Sequence, residues 1–252
     1  RPWPISFQDE RPSSVASAGS SPVFGKDREA GVRLFRYRTQ TRVMKISCSV
    51  PILTLNVKAE LARLLPVLAD RFEDVYIVDG NSTDGTREYA ASLGVRVEKQ
   101  FDHDRPDSRI ADFTAARLRS FGFARHGWIF LVDADEMPAP ELMARVERIV
   151  SEDARKTVHA FPRLAVMPDG RTVERAFFYT EFTMVRLFHR DAGLTLASDR
   201  HVHERFILPK GVALMRHREP FLHAWPEPAE FRQKLERYVS MEYAEWTGSF
   251  QS

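Results

Sequence analysis

The stretch of this sequence best suited to chemistry is Phe130-Leu131-Val132-Asp133-Ala134-Asp135-Glu136, where an apolar run stops at three carboxylates. Asp133 and Asp135, two apart on a turning backbone, can both face one hard cation, which takes oxygen ligands and keeps positions open for phosphate. In open parallel sheets ligands sit beyond the carboxyl ends of the strands, so this cluster lies where a substrate would bind. The plainer alternative is a solvated acidic turn. A second stretch, Val75-Tyr76-Ile77-Val78-Asp79-Gly80-Asn81-Ser82-Thr83-Asp84-Gly85-Thr86, repeats the pattern with a Gly-rich turn. Asp79 would stand at the same edge as Asp133, able to accept a hydrogen bond from a base imide or ribose hydroxyl, while Gly80 and Gly85 allow close backbone approach. The alternative there is a strand-to-helix turn in which Asp and Ser serve as caps.

Such residues need a scaffold, and the hydrophobic pattern supplies one. Strand, helix and strand signals follow one another over residues 46–53, 58–71 and 75–78, the βαβ order of a parallel sheet. A second helix fits residues 84–93, with Ser82 or Thr83 able to cap it and Gly94 placed to end it, and a strand follows at 95–98. A helix period over 109–124 leads into the strand 128–132. Beyond Arg145 the pattern is less regular, with strand-like pieces at 158–166 and 177–188 and a final helix over 228–246.

At 252 residues and 43% hydrophobic, the chain can bury one substantial core, so a single α/β domain with appendages is expected. No stretch approaches the roughly 20 apolar residues that span a bilayer. The single cysteine, Cys48, offers neither a disulfide framework nor a thiolate cluster and reads as a reducing, cytoplasmic compartment. Residues 1–43 hold eight Lys/Arg against four Asp/Glu, an excess of +4 in a chain of net charge +2, which leaves −2 for the remainder. That balance argues against a nucleic-acid-binding body, since phosphate neutralisation needs a clustered basic face. The arm itself is rich in Ser, Pro, Gly and Arg, and Met44-Lys45-Ile46-Ser47 reads like a natural start, so 1–43 is expected to be disordered or artefactual, with a basic tail touching an anionic surface as the alternative.

Taken together, the segments resemble glycosyltransferase family 2 of the GT-A fold, in which a first strand ends in Thr-x-Asn, a second in Asp-x-x-Ser-x-Asp-Gly-Thr and a later one in Asp-x-Asp. Here they read Thr54-Leu55-Asn56, Asp79 to Thr86 and Asp133-Ala134-Asp135. The resemblance is closest to the branch with bacterial lipopolysaccharide-core glycosyltransferases, through Asp112-Phe113-Thr114-Ala115-Ala116-Arg117 and Val202-His203-Glu204-Arg205. Val57 and Leu118 depart from it, standing where Glu and Asn are usual. The resemblance implies a Rossmann-like, mostly parallel sheet flanked by helices, with residues 44–145 as the nucleotide-sugar half and 146–252, ending in the C-terminal helix, as the acceptor half. It implies an inverting transferase that moves a sugar from a nucleoside diphosphate, UDP by preference, to a glycan or lipid-linked acceptor of the cell envelope.

On the same resemblance Thr54, Asp79 and Asp84 hold the nucleoside, with Asn56 and Asp133 also counted as donor-binding, and Arg117 approaches the diphosphate or base. Asp133 and Asp135 present Mg²⁺ or Mn²⁺ to the diphosphate, a Lewis acid for the leaving oxygen. GT-A enzymes often add a histidine from later in the chain, for which His203 is favoured and His223 is the runner-up. The acceptor hydroxyl needs a base within hydrogen-bond reach. Glu204 is the candidate, with Glu136 its competitor. The terminal segment, with Phe231, Leu235, Tyr238, Val239 and Tyr243 on one face, reads as a core-packing helix; Lys234 and Arg237 would alternatively guide an anionic or lipid-linked acceptor at the inner face of the membrane.

Rival readings remain. A strand ending in Asp-x-Asp is also similar to haloacid dehalogenase phosphotransferases, in which Asp133 would become phosphorylated, although Met137 stands where those have Thr or Val. A GT-A module that binds without turnover is the other, kept open by Val57 and Leu118.

Overall fold

The computed structural model describes residues 44–166, 172–173, 183–197 and 205–224. The expected arm 1–43, the expected helix 228–246, and His201, His203 and Glu204 lie outside the described residues. Those described belong to one compact unit, Thr39–Ser252.

The chain runs β1 (Ile46–Thr54), α1 (Lys58–Arg71), β2 (Phe72–Asp79), α2 (Thr86–Ser92), β3 (Arg96–Lys99), α3 (Phe113–Gly122), β4 (Trp128–Phe130), β5 (Glu136–Pro138), α4 (Pro140–Glu152), β6 (Thr157–Phe161), β7 (Arg163–Val166), β8 (Thr172–Val173), β9 (Met184–His189), a 3₁₀ turn (Arg190–Ala192), β10 (Thr195–Leu196), β11 (Phe206–Ile207), β12 (Ala213–Arg216) and β13 (Phe221–Ala224). Seven strands form the central sheet in the order β12-β6-β9-β4-β1-β2-β3. All neighbours are parallel except β9, which runs against both β4 and β6. A second sheet, β5-β13-β7-β8, sets β13 antiparallel to β5 and parallel to β7. The architecture is thus the expected mainly parallel α/β sheet flanked by helices.

Alternation along β4 divides the core in two. Trp128, Phe130 and Val132 face a large cluster with the buried side of α1 and α4, while Ile129 and Leu131 face a smaller one with Phe188 and, from α3, Phe121. Helix α1 is amphipathic, with Leu61, Leu64, Leu65 and Leu68 buried at the i, i+3, i+4, i+7 spacing. Truncating any of these to Ala costs about 2–5 kcal/mol. In α4 an i, i+1, i+4, i+7 spacing buries Leu142, Met143, Val146 and Ile149 behind a helix-starting Pro140.

Several boundaries differ from the sequence pattern for local reasons. The second helix begins at Thr86, because Asp84 turns back to accept from the Thr86 N–H at 2.9 Å and Gly85 is left-handed at φ 88°. The third begins at Phe113 because Asp112 caps it, accepting from the Ala115 N–H at 2.9 Å. The strand expected over 158–166 divides at Pro162, which has no N–H for a ladder, and its halves enter different sheets. Of the piece expected at 177–188, the described strand is Met184–His189. Strand β4 ends early, at Phe130, yet the Leu131 N–H still donates to the Arg186 carbonyl at 2.7 Å.

Parallel pairing fixes the functional edge. Thr54 lies opposite Asp79 and Ser49 opposite Ile129, so the carboxyl ends of β1, β2 and β4 open on the same side. Both acidic loops therefore emerge on that edge of the sheet.

Candidate active site

The first acidic loop is closed on itself. Asp79, 1% exposed, accepts from the Thr54 hydroxyl at 2.8 Å, the Ser82 hydroxyl at 2.7 Å and the Ser82 N–H at 2.8 Å. Arg87 Nε stands 3.9 Å from its other side. Asn56, left-handed at φ 53°, donates its backbone N–H to Ser82 Oγ at 2.8 Å, accepts the Thr83 N–H at 2.9 Å and donates from Nδ2 to Asp107 at 2.9 Å. Asp84 serves two helix starts, accepting from the Lys58 N–H of α1 at 3.0 Å and from the Thr86 N–H and hydroxyl of α2. Helix α1 has Val57 as its N-cap residue and no cap bond from that side chain, so a carboxylate 27 positions away in the sequence supplies what a local Ser or Asp would. Burial pushes the Asp84 carboxyl up, but the bonds from Thr86 and Lys58 outweigh it and hold it below the usual range. The loop following β3 lies against this one: Ser108 N–H donates to Gly80 O at 2.8 Å, and a Cβ on Gly80 would stand 2.5 Å from Ser108 O.

The second loop is held from outside. Arg117, on α3, donates from Nη2 to Asp133 Oδ1 at 2.9 Å. Arg186, on β9, donates from Nη1 to Asp133 Oδ2 at 3.1 Å and from Nη2 to Glu136 Oε1 at 2.7 Å. Arg163, on β7, approaches the same Glu136 oxygen at 3.6 Å. The Arg186 guanidinium also lies 5.0 Å over the Phe221 ring. Its side chain is 3% exposed and that of Glu136 0%, whereas Asp133 is 33% exposed. Burial would push the Asp133 carboxyl up, but Arg186 and Arg117 hold it well below the usual range. Glu136 moves the other way, raised by burial and by the Asp133 and Asp135 carboxylates against the pull of Arg186.

Asp135 is placed differently again. Strand β13 sets His223 opposite Glu136 in register, and His223 Nε2 comes to 3.0 Å from Asp135 Oδ2. One carboxylate and one imidazole, 46% and 14% exposed, converge there. They suit a divalent cation of the Mg²⁺/Mn²⁺ kind, which keeps several positions for water and substrate phosphates. Among the described residues no group of three or more His, Cys, Asp or Glu could hold a metal ion, so phosphate oxygens and water would complete the shell.

The structure thus gathers Thr54, Asn56, Asp79 and Asp84 in one loop cluster, and Arg117, Asp133, Asp135 and Glu136 in another. It gives two of them other tasks than expected. Asp84 fastens two helices with both its oxygens, and Glu136 is sealed beneath the surface, out of reach of an acceptor hydroxyl. Asp133 has an arginine on each oxygen, and the charge each draws from the carboxylate weakens it as a nucleophile toward phosphorus, which disfavours the dehalogenase-type reading. Arg186 was not anticipated. The available signal was a lone arginine among Met184, Val185, Leu187 and Phe188, where burial demands carboxylate partners.

Comparison with known proteins adds the following. A model of the family described as "Glycosyl transferase family 2" matches residues 49–195, more than half of the chain. Among curated proteins no sequence matches significantly. Solved structures resemble it at low identity. Glucosyl-3-phosphoglycerate synthase from Mycobacterium tuberculosis, in complex with Mn²⁺ and UDP-glucose, is 13% identical, with 79% of each chain covered and a TM-score of 0.46. The same enzyme with Mn²⁺, UDP-glucose and glycerol 3-phosphate is 12% identical, with 84% of this chain and 86% of that one covered and a TM-score of 0.49. Residues 1–349 of S. aureus TarS, in complex with UDP, are 16% identical, with 74% of this chain and 62% of that one covered and a TM-score of 0.48. Identities this low and TM-scores below 0.5 leave donor, metal and acceptor to be argued from the chain itself.

Proposed function

This chain belongs to glycosyltransferase family 2, and from that premise we propose that it moves a sugar from a nucleoside diphosphate, UDP in the first place, to a glycan or lipid-linked acceptor with inversion at the anomeric carbon. The observation that carries this reading is the meeting of a carboxylate and an imidazole, Asp135 and His223 at 3.0 Å, in the same loop as Asp133 and the two arginines that share it. Cation ligands and diphosphate-binding charges then stand side by side at the strand edge where ligands of such sheets bind.

In this reading Asp135 and His223 hold Mn²⁺ or Mg²⁺, with His223 taking the role first given to His203. When bound, the cation supplies Lewis-acid stabilisation to the departing diphosphate. Arg117 and Arg186 add positive charge beside it, Arg186 from surroundings in which it is already desolvated. The Thr54, Asn56 and Asp79 cluster shapes the nucleoside side of the site, and Asp84 keeps its two helices in place. Glu204 takes the acceptor proton; Glu136, buried against Arg186, orients that arginine. An acceptor in the cell envelope, of the lipopolysaccharide-core kind, and a cytoplasmic enzyme working at the inner face of the membrane belong to the same reading. Among the described residues no helix is long and apolar enough to cross a membrane.

The test is calorimetric titration of UDP and of GDP, with and without Mn²⁺, repeated on Asp135→Ala. Binding of one diphosphate that needs the cation and vanishes in the variant is expected. Absence of cation-linked binding to either would overturn the assignment of Asp135 and of the donor.

A further inference from the structure

Each oxygen of Asp133 is held by a different arginine, and each arginine gives it only one N–H: Arg117 Nη2 at 2.9 Å and Arg186 Nη1 at 3.1 Å. Arg186 divides itself between Asp133 and Glu136, and its Nε, though buried, meets no hydrogen-bond partner among the described residues. A planar guanidinium bonded singly to a carboxylate is not at its optimum, and a phosphate offers the two-oxygen partner that it fits. The clasp is also reachable, since Asp133 is 33% exposed while Arg186 behind it is 3% exposed. Two positions along, Asp135 and His223 offer two donors to a cation that requires more.

We propose that this clasp is exchangeable: the donor's diphosphate draws Arg117 and Arg186 off Asp133, and the carboxylate so released joins Asp135 and His223 around the divalent cation. Arg186 is then a positioning residue that keeps the cation site incomplete until the donor arrives. Asp133 is clasped by arginine before donor binding and faces the cation afterwards, so the two parts assigned to it by sequence follow one another in time. The exchange couples the two ligands. Stripping the arginines from Asp133 without a cation would leave a carboxylate without counter-charge, and adding the cation first would set it against two guanidinium groups. Each ligand therefore tightens the other, by the same factor in both directions.

The proposal rests on the donor reading given above, and the experiment separates the two. Mn²⁺ affinity is measured by calorimetry, or by the loss of the free-ion paramagnetic signal, in the absence and presence of saturating UDP. The wild-type protein is expected to bind Mn²⁺ about tenfold or more tightly with UDP present. In Arg186→Gln, Mn²⁺ binding without UDP is expected to strengthen, UDP binding to weaken, and the coupling to fall below about threefold. A purely electrostatic effect of Arg186 would strengthen Mn²⁺ equally with and without UDP and leave the coupling intact, which would overturn the exchange. Where loss of the buried arginine unfolds the chain, Arg186→Lys and the isosteric Asp133→Asn decide. Lysine keeps the charge but lacks the planar fork that gives each carboxylate its own nitrogen, and asparagine has no charge to hand over, so both are expected to lower the coupling at least threefold; unchanged coupling in either overturns the proposal. Independent binding of UDP and Mn²⁺ in the wild type overturns it too, whereas failure of UDP to bind at saturating Mn²⁺ overturns the donor reading itself.

Discussion

The two acidic loops at the carboxyl edge of the sheet look alike in sequence and are built in opposite ways. Between Asp79 and Thr86 the carboxylates are satisfied locally or by the neighbouring loop, by hydroxyls and backbone N–H groups, those on Asp84 belonging to two helix starts. Between Asp133 and Glu136 the carboxylates are satisfied by long side chains brought from elsewhere, arginines from α3, β7 and β9 and a histidine from β13. Neutral, rigid donors make a wall; long side chains with formal charge can change partners. An acid at a strand end is therefore not by itself a binding residue, and what distinguishes the two cases is who solvates it.

The sharpest way to break this contrast is to remove one acid from the second loop. Asp135→Ala is expected to lower the transfer rate by about 10²–10³-fold, the scale of losing one preorganised charge-stabilising contact, with a melting temperature close to that of the wild type. Arg186→Met tests the same loop through its support. It leaves one side of Asp133 without a counter-charge and Glu136 with the more distant Arg163 at 3.6 Å, and is expected to reduce stability by about 3–5 kcal/mol in chemical denaturation.

The first loop should respond in stability instead. Gly80→Ala places a methyl group 2.5 Å from Ser108 O, a backbone atom that cannot step aside alone, and is expected to destabilise by about 1–3 kcal/mol in the same assay. Asp84→Ala deprives two helix starts of one cap and is expected to cost about 2 kcal/mol.

The smallest effect lies away from both loops and serves as a control for pH studies of either. His159 is held neutral, pushed down to about 4 by burial and by the adjacent His217, whose Nε2 is 3.0 Å from its Nδ1. The unfolded chain binds a proton near the ordinary histidine value of about 6.5, where the folded one does not, so stability is full above that value and declines as pH falls from there toward 4. His159→Phe is expected to flatten the decline of melting temperature between those limits.

Much of the scaffold was legible because it follows local rules. Leucines at helical spacing marked α1 to the residue, and apolar runs ending in acid marked β2 and β4. Boundaries were missed where a residue inside the expected element broke its period: Asp84 and Asp112 shorten their helices by capping them, and Pro162 diverts a strand. The site was legible in its motif residues, and Arg117 and His223 were named through the family resemblance, but the pairings among them were not legible. Nothing in the spacing of Asp133 and Asp135 announces that Arg186, 53 positions from Asp133, will occupy one and not the other. Nor does it show that β13 will bring His223, 88 positions away, to Asp135. Those pairings come from an antiparallel strand in each sheet, a long-range feature that periodicity does not carry.

The contrast between a structural and a ligand-binding acid is tested most directly by one crossed measurement, UDP affinity at saturating Mn²⁺ and melting temperature recorded together for Asp84→Ala and Asp135→Ala. The predicted result is that Asp84→Ala melts about 4–8 °C lower, the shift that 2 kcal/mol produces in a chain of this size, yet binds UDP nearly as well as the wild type, while Asp135→Ala melts like the wild type and no longer shows cation-dependent UDP binding. The reverse pattern, with UDP binding lost in Asp84→Ala and kept in Asp135→Ala, would contradict the account.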